Sequence, residues 1–108
     1  MAESKESFRT RVRVWSERLN VTPTSVRIQR MTRKWASCSA SGTVSFASDL
    51  LAKSTAFRDY VIVHELLHLR VANHGKLFKA LLGLHIPDWR RIERQQQVAS
   101  PGPLRRAA

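Results

Sequence analysis

Three of the chain's four histidines, His64, His68 and His74, fall within eleven residues, and Glu65 directly follows the first of them. On a helix, positions i and i+4 differ by about 40° of rotation, so His64 and His68 share a face and can grip one metal ion together. Glu65, one residue along, turns toward the open side of that ion, where a water would lie. His-Glu-x-x-His is the spacing of zinc hydrolases: two imidazoles hold the metal, and the carboxylate moves protons to and from the attacking water. The surroundings support this chemistry. Tyr60-Val61-Ile62-Val63, Leu66-Leu67 and Leu69 are apolar on nearly every side, which marks a buried helix. Two imidazoles and a carboxylate are costly to bury without partners, and a metal satisfies all three groups at once.

A catalytic zinc takes three protein ligands and keeps one position open. His74 is the favoured third ligand. Were the helix to continue, His74 would point about 120° away from His68. The helix must therefore end first, and Asn73 with Gly75 supplies the breaking chemistry that lets His74 fold back. Glu93, a carboxylate on a later helix, is the alternative. His85, beside Pro87, reads better as a surface or capping histidine, and Asp88 as the cap of the last helix.

The elements that must position these groups follow from periodicity. Phe8, Val12, Trp15 and Leu19 make residues 7–20 an amphipathic helix. Alternation at Val26 and Ile28 predicts a strand from Ser25 to Met31. Two more, Lys34–Ser39 and Thr43–Ala47, flank the hairpin chemistry of Ala40-Ser41-Gly42. The run Val61-Ile62-Val63 favours strand by propensity, but the histidine spacing requires helix, predicted over residues 56–72 with Ser54 or Thr55 as N-cap. A short helix, Lys76–Leu82, is expected to stop at Gly83. A last one, Pro87–Val98, turns Trp89 and Ile92 inward. The order αβββααα predicts an α+β fold, a small three-stranded sheet packed on the motif helix with flanking helices. Residues 1–6 read as a flexible N-terminus, 7–98 as one domain and 99–108, with Ser100-Pro101-Gly102-Pro103, as a flexible basic tail.

The formal charge is +11 over 108 residues, and nine basic residues lie in the first 34 positions. Such a surface attracts polyanions, so DNA or RNA is an expected partner through Arg9, Arg13, Arg30, Arg33 and Lys34. No zinc-finger pattern or aromatic stacking platform accompanies the charge. Cys38 is the only cysteine and cannot form an internal disulfide, which suits a reducing cytoplasm. It reads as a small buried hydrophobe rather than a nucleophile, because a metal already accounts for the histidines. The polar start and the lack of any apolar run near the roughly 20 residues that span a bilayer predict a cytoplasmic monomer with no membrane partner.

The segment His64-Glu65-Leu66-Leu67-His68-Leu69-Arg70, followed by Asn73-His74-Gly75-x-x-Phe78, resembles the YgjP-like (WLM-type) zinc metallopeptidases. Upstream, Thr32-Arg33-Lys34-Trp35-Ala36-Ser37-Cys38-Ser39 and Gly42 resemble that family's R-W-G-S-C-S segment and its glycine turn. Ala36 stands where the family has glycine, and Phe46-Ala47-Ser48-Asp49 where it has a leucine-asparagine pair. The likeness runs from about Arg27 to Leu82. It implies a minimal zincin domain with one zinc ion on His64, His68 and His74, and with Glu65 as catalytic acid/base. His74-Gly75-x-x-Phe78 is also similar, more distantly, to SprT/Spartan-type proteases, which act on proteins bound to DNA. The expected function is a zinc-dependent peptidase acting on a peptide or protein. A non-catalytic, zinc-stabilised nucleic-acid-binding module is the alternative, and Glu65 counts against it because a structural site needs no such carboxylate. An extended substrate could pair with the strand around Trp35–Ser39 or Thr43–Ala47, lined by Ser37, Cys38 and Trp35, although a core position for Trp35 is an equal reading. Tyr60 or a nearby arginine is a candidate for oxyanion support, and Asp49 and Asp59 for orienting the histidines.

Overall fold

The computed structural model describes residues 2–99 and 106–107. Helix α1 (Lys5–Leu19) starts where the Ser4 side chain accepts from Ser7 N at 3.0 Å and stops at Asn20 in the left-handed region, φ 55°. It buries Phe8, Val12, Trp15 and Leu19, as their spacing predicts. The N-terminus differs from expectation: residues 3–6 are tied down rather than loose. Glu3 N donates to Leu51 O at 2.9 Å. The Glu3 carboxylate pairs with Arg58 Nε at 3.0 Å and Arg11 at 3.2 Å. Arg58, only 8% exposed, also donates to the carbonyls of Leu51 and Lys53 and to Thr55 Oγ1. A buried cation thus recruits the chain's third residue.

Burial opposes ionisation of Glu3, but hydrogen bonds from Ser7 and Arg11 and the charges of Arg11 and Arg58 outweigh it, holding the carboxyl below its usual 4.5. A depressed folded value means that the carboxylate's stabilisation is complete above the unfolded pKa and is lost as pH falls through the lower folded one. Glu3→Gln is expected to cost about 3 kcal/mol at pH 7, since it leaves Arg58 buried without its counter-charge. The gap between wild type and variant should narrow in urea titrations as pH is lowered from 6 to 3. A constant gap would contradict the ion pair.

Strands β1 (Ser25–Gln29), β2 (Lys34–Cys38) and β3 (Thr43–Ala47) form the sheet in the order β1-β3-β2. β2 and β3 make the expected antiparallel hairpin, Ser37 opposite Ser45. β1 runs parallel to β3, from Ser25↔Thr43 to Gln29↔Ala47, which puts β3 in the centre. A two-residue strand, β4 (Arg106–Ala107), pairs in parallel with β2. It belongs to the expected basic tail, of which Ser100–Arg105 and Ala108 lie outside the described residues. Gly42 closes the hairpin at φ 92°, and a Cβ there would stand 2.6 Å from Thr24 Oγ1. Gly42→Ala meets both left-handed strain and a clash. It should lower stability by about 1–3 kcal/mol, read as a drop in the thermal midpoint.

Ile28, Trp35, Ala36, Val44, Phe46 and Ala47 form the sheet's share of the core, with the Phe8 ring edge-on to Phe46 at 5.2 Å. Helix α2 (Thr55–Leu67) begins at Ser54, whose side chain accepts from Phe57 N. Every residue from Tyr60 to Leu67 is buried. That burial overrides the strand propensity of Val61-Ile62-Val63. α2 ends at Leu67 rather than residue 72. Helix α3 (Lys76–His85) runs through Gly83, whose α-carbon faces the Trp89 indole, and stops at Ile86 before Pro87. Helix α4 (Trp89–Ala99) follows, with Ile92 buried. No described helix is long and apolar enough to cross a membrane.

Candidate metal centre

The motif straddles the end of α2. His64 lies in the last turn, 6% exposed, and Glu65 beside it is wholly buried. His68 is the C-cap, still in the right-handed region at φ −64°, ψ −17°. From there i→i+3 bonds tighten the chain: His68 N donates to Glu65 O and Leu69 N to Leu66 O, each at 3.1 Å. His68 thus keeps the side shared with His64, ring centroids 5.1 Å apart, although the helix has ended. The return of His74 works as predicted, but by another device. Gly75, at φ −75°, is no left-handed terminator. It is the N-cap of α3, and Asn73 Oδ1 accepts from Gly75 N at 3.1 Å to make the turn.

The three imidazoles converge. One candidate ligand atom from each of His64, His68 and His74 lies within 4.8 Å of the other two. His68 Nε2 and His74 Nε2 are 3.0 Å apart, near the roughly 3.3 Å that two nitrogens share on one tetrahedral zinc. Phe78, the first buried residue of α3, forms the floor, its ring 4.8–5.1 Å from all three imidazoles. Burial lowers the His64 pKa to about 4, with Glu93 pulling the other way, so the ring is neutral at pH 7. Its contact with Glu65 is then a hydrogen bond rather than an ion pair: Nδ1–H donates to Oε2 at 3.2 Å, which leaves Nε2 as the Lewis base. The Val71 carbonyl can only accept, so it fixes His68 the same way, Nδ1–H donating at 3.2 Å. Imidazoles anchored through Nδ1 present Nε2 to a metal, the donor set zinc takes.

Glu93 does not join the cluster. Its Oε2 accepts from Tyr60 OH at 2.9 Å, one layer behind His64. Tyr60 keeps its proton, because burial and then Glu93 and Glu65 raise its pKa. With its hydroxyl committed to Glu93, Tyr60 does not present an oxyanion donor here. His85 packs edge-on against Trp15, away from the cluster. Asp88 pairs with Arg91 at 2.8 Å. Asp59 is not behind the histidines either: it accepts from Trp15 Nε1 and Arg11, joining the Glu3 network. Asp49 sits exposed in a 3-10 turn, Ser48–Ala52.

The expected substrate strand is corrected in two respects. β3 has neighbours on both sides, so Thr43–Ala47 offers no edge. Trp35 is 5% exposed, packed on Phe57 at 5.3 Å with the Lys53 ammonium over its ring, and is a core residue rather than a cleft wall. Ser37 and Cys38 are half-buried on β2. Burial, then the Glu65 carboxylate, pushes the Cys38 thiol up, against any role as a nucleophile and consistent with β2 passing close to Glu65. Arg9, Arg13, Arg30, Arg33 and Lys34 are all exposed, the first two on α1 and the others between β1 and β2 or opening β2.

A buried Glu beside imidazoles gathered from one helix end and the following turn, under a small mixed sheet, defines a compact metallopeptidase. Residues 1–97 match the YgjP-like, metallopeptidase domain family, and the chain belongs to it. A comparison with curated proteins finds no match. Among solved structures, the fold is similar to the metallopeptidase zymogen of Pyrococcus abyssi abylysin (TM-score 0.73, 20% identity, 85% of this chain and 94% of that one). It is also similar to the zymogen of Methanocaldococcus jannaschii jannalysin (TM-score 0.71, 23% identity, 84% and 96%).

Proposed function

We propose that this metallopeptidase holds a single zinc ion on His64, His68 and His74 and cleaves peptide bonds with Glu65 as general base and then general acid. The observation that carries the reading is the convergence of three imidazoles within 4.8 Å beside a fully buried carboxylate. Zinc, when bound, supplies Lewis acidity that makes water a better nucleophile at neutral pH and polarises the scissile carbonyl. Glu65 takes a proton from the attacking water and returns it to the departing amine. The hydrogen bond from His64 Nδ1 holds the carboxylate in place, and burial keeps competing solvent from it. Phe78 walls the imidazoles on the α3 side. The passage of β2 near Glu65 supports a substrate laid along Ser37 and Cys38, beyond the Lys34–Ala36 stretch that β4 pairs.

Purified protein should carry one zinc per chain by elemental analysis and should hydrolyse an unstructured protein such as casein. A strong chelator should stop the hydrolysis and zinc restore it. Full activity in metal-free protein would refute the mechanism. The charge of +11 supports an extension to nucleic acid through exposed Arg30, Arg33 and Lys34, for which steeply salt-dependent binding of a DNA duplex is the expected sign.

A further inference from the structure

On the far side of β3 from β2, between α1 and the start of β1, lies a groove of about 390 Å³ that the metal centre does not use. Its walls are Val12 from α1, Val21 and Pro23 from the connection, and Val26 from β1. Arg9 and Arg13 line it one helical turn apart. Three features mark it as a place for a ligand rather than a fold in the surface. The volume is in the range of small-ligand sites, and an apolar wall carries a few polar groups, Arg9, Arg13 and Glu17 the charged ones, the pattern that fixes orientation in such sites. Both arginines are exposed. Arg9 Nη1 already donates to Val26 O at 2.7 Å, which sets its guanidinium against the β1 wall while its remaining N–H groups can serve an acceptor. Finally, β1 is an edge strand: β3 pairs it on one side, and no other described strand pairs it on the other. A groove between a helix and a sheet edge is the setting in which extended peptides are captured.

We propose that this groove is a docking site for an acidic, apolar segment of a partner protein lying extended along β1. An aliphatic side chain seats among Val12, Val21 and Val26, and carboxylates reach Arg9 and Arg13. Glu17 lines the same groove one turn beyond Arg13 and sets a polarity: acidic residues belong toward Arg9, and a neutral or basic one toward Glu17. A second copy of this chain is a poor occupant, because two bodies of +11 repel each other. The site is separate from the histidine cluster, so it stands whether or not the chain hydrolyses peptides.

The test is fluorescence anisotropy at 150 mM salt with the full chain, using four labelled probes. One is a decapeptide alternating valine with aspartate or glutamate in one half and with asparagine in the other. The others replace its valines by serine, replace its acids by glutamine, or are a 20-base-pair DNA duplex. The acidic-apolar peptide should bind at least tenfold better than either altered peptide, and duplex binding, which Arg30, Arg33 and Lys34 would carry, should survive substitution of Arg9 and Arg13. The Arg9→Ala/Arg13→Ala double variant, with its fold verified by circular dichroism, should weaken the acidic-apolar peptide at least tenfold. Equal binding of the serine peptide, or a loss of duplex binding in the double variant as large as the loss of peptide binding, would reduce the groove to a general polyanion surface and overturn the proposal. So would unchanged binding in the double variant or no binding of the first probe.

Discussion

Glu65→Gln should reduce peptide hydrolysis by at least about a thousandfold while leaving the fold and the zinc content intact. Positioned general acid–base groups contribute about 10²–10⁴ in rate, and Glu65 is asked to act at both ends of the reaction. The substitution is unusually clean here. Glutamine has nearly the same shape, so a wholly buried position meets no cavity and no overpacking. Its carbonyl oxygen can still accept from His64 Nδ1–H, so the hydrogen bond that orients the metal-side nitrogen of His64 survives. Only the ability to take up a proton goes. Elemental analysis should find zinc in the variant at wild-type stoichiometry, and the casein or fluorogenic-peptide rate should fall through kcat rather than KM. Retained turnover would remove Glu65 from the mechanism. Joint loss of zinc and activity would instead make it a structural partner of His64.

The chemistry was more legible in the sequence than the scaffold. The convergence of His64, His68 and His74 was legible in their spacing on a helix and in the turn that must follow it. The hairpin was likewise visible in Ala40-Ser41-Gly42, since only a residue without Cβ fits at φ 92° against Thr24. What was hidden depends on contacts distant in sequence. Alternation in Val26 and Ile28 shows that β1 is a strand, but not that it pairs with β3 in parallel and so puts β3 in the centre. A polar start reads as loose until Arg58, 55 residues later, turns out to be buried and in need of Glu3. Gly83 looks like a helix stop on local grounds alone, yet with the Trp89 indole beside it α3 continues to His85 and caps at Ile86, just before Pro87. Asp59 looks like a partner for the histidines by position on α2, but Arg11 and Trp15 of α1 claim it. In each case a local signal was real and a tertiary partner outweighed it.

The third ligand gives the other large effect, and two variants together decide it. His74→Ala should lower zinc affinity by more than about 100-fold, beyond the 10–100-fold typical of losing an outer partner, and abolish activity with it. His74 is exposed and sits in a turn built by Asn73 and Gly75, so its truncation should barely change the stability of the metal-free protein. That separates loss of a ligand from loss of fold, which His64→Ala, buried at the end of α2, would confuse. Glu93→Ala is the counterpart. Glu93 accepts from Tyr60 and pulls against the burial that keeps His64 neutral, so its removal should stay within the 10–100-fold band. It should also cost stability, because the Tyr60 hydroxyl would lose its acceptor in a buried site. Competition of each variant with a chromogenic zinc chelator measures the affinities, and urea unfolding of the metal-free forms measures the stabilities. The reverse order, with Glu93→Ala losing zinc and His74→Ala keeping it, would move the third ligand from the turn after α2 to helix α4. Tyr60 would then have to release Glu93 for the site to assemble.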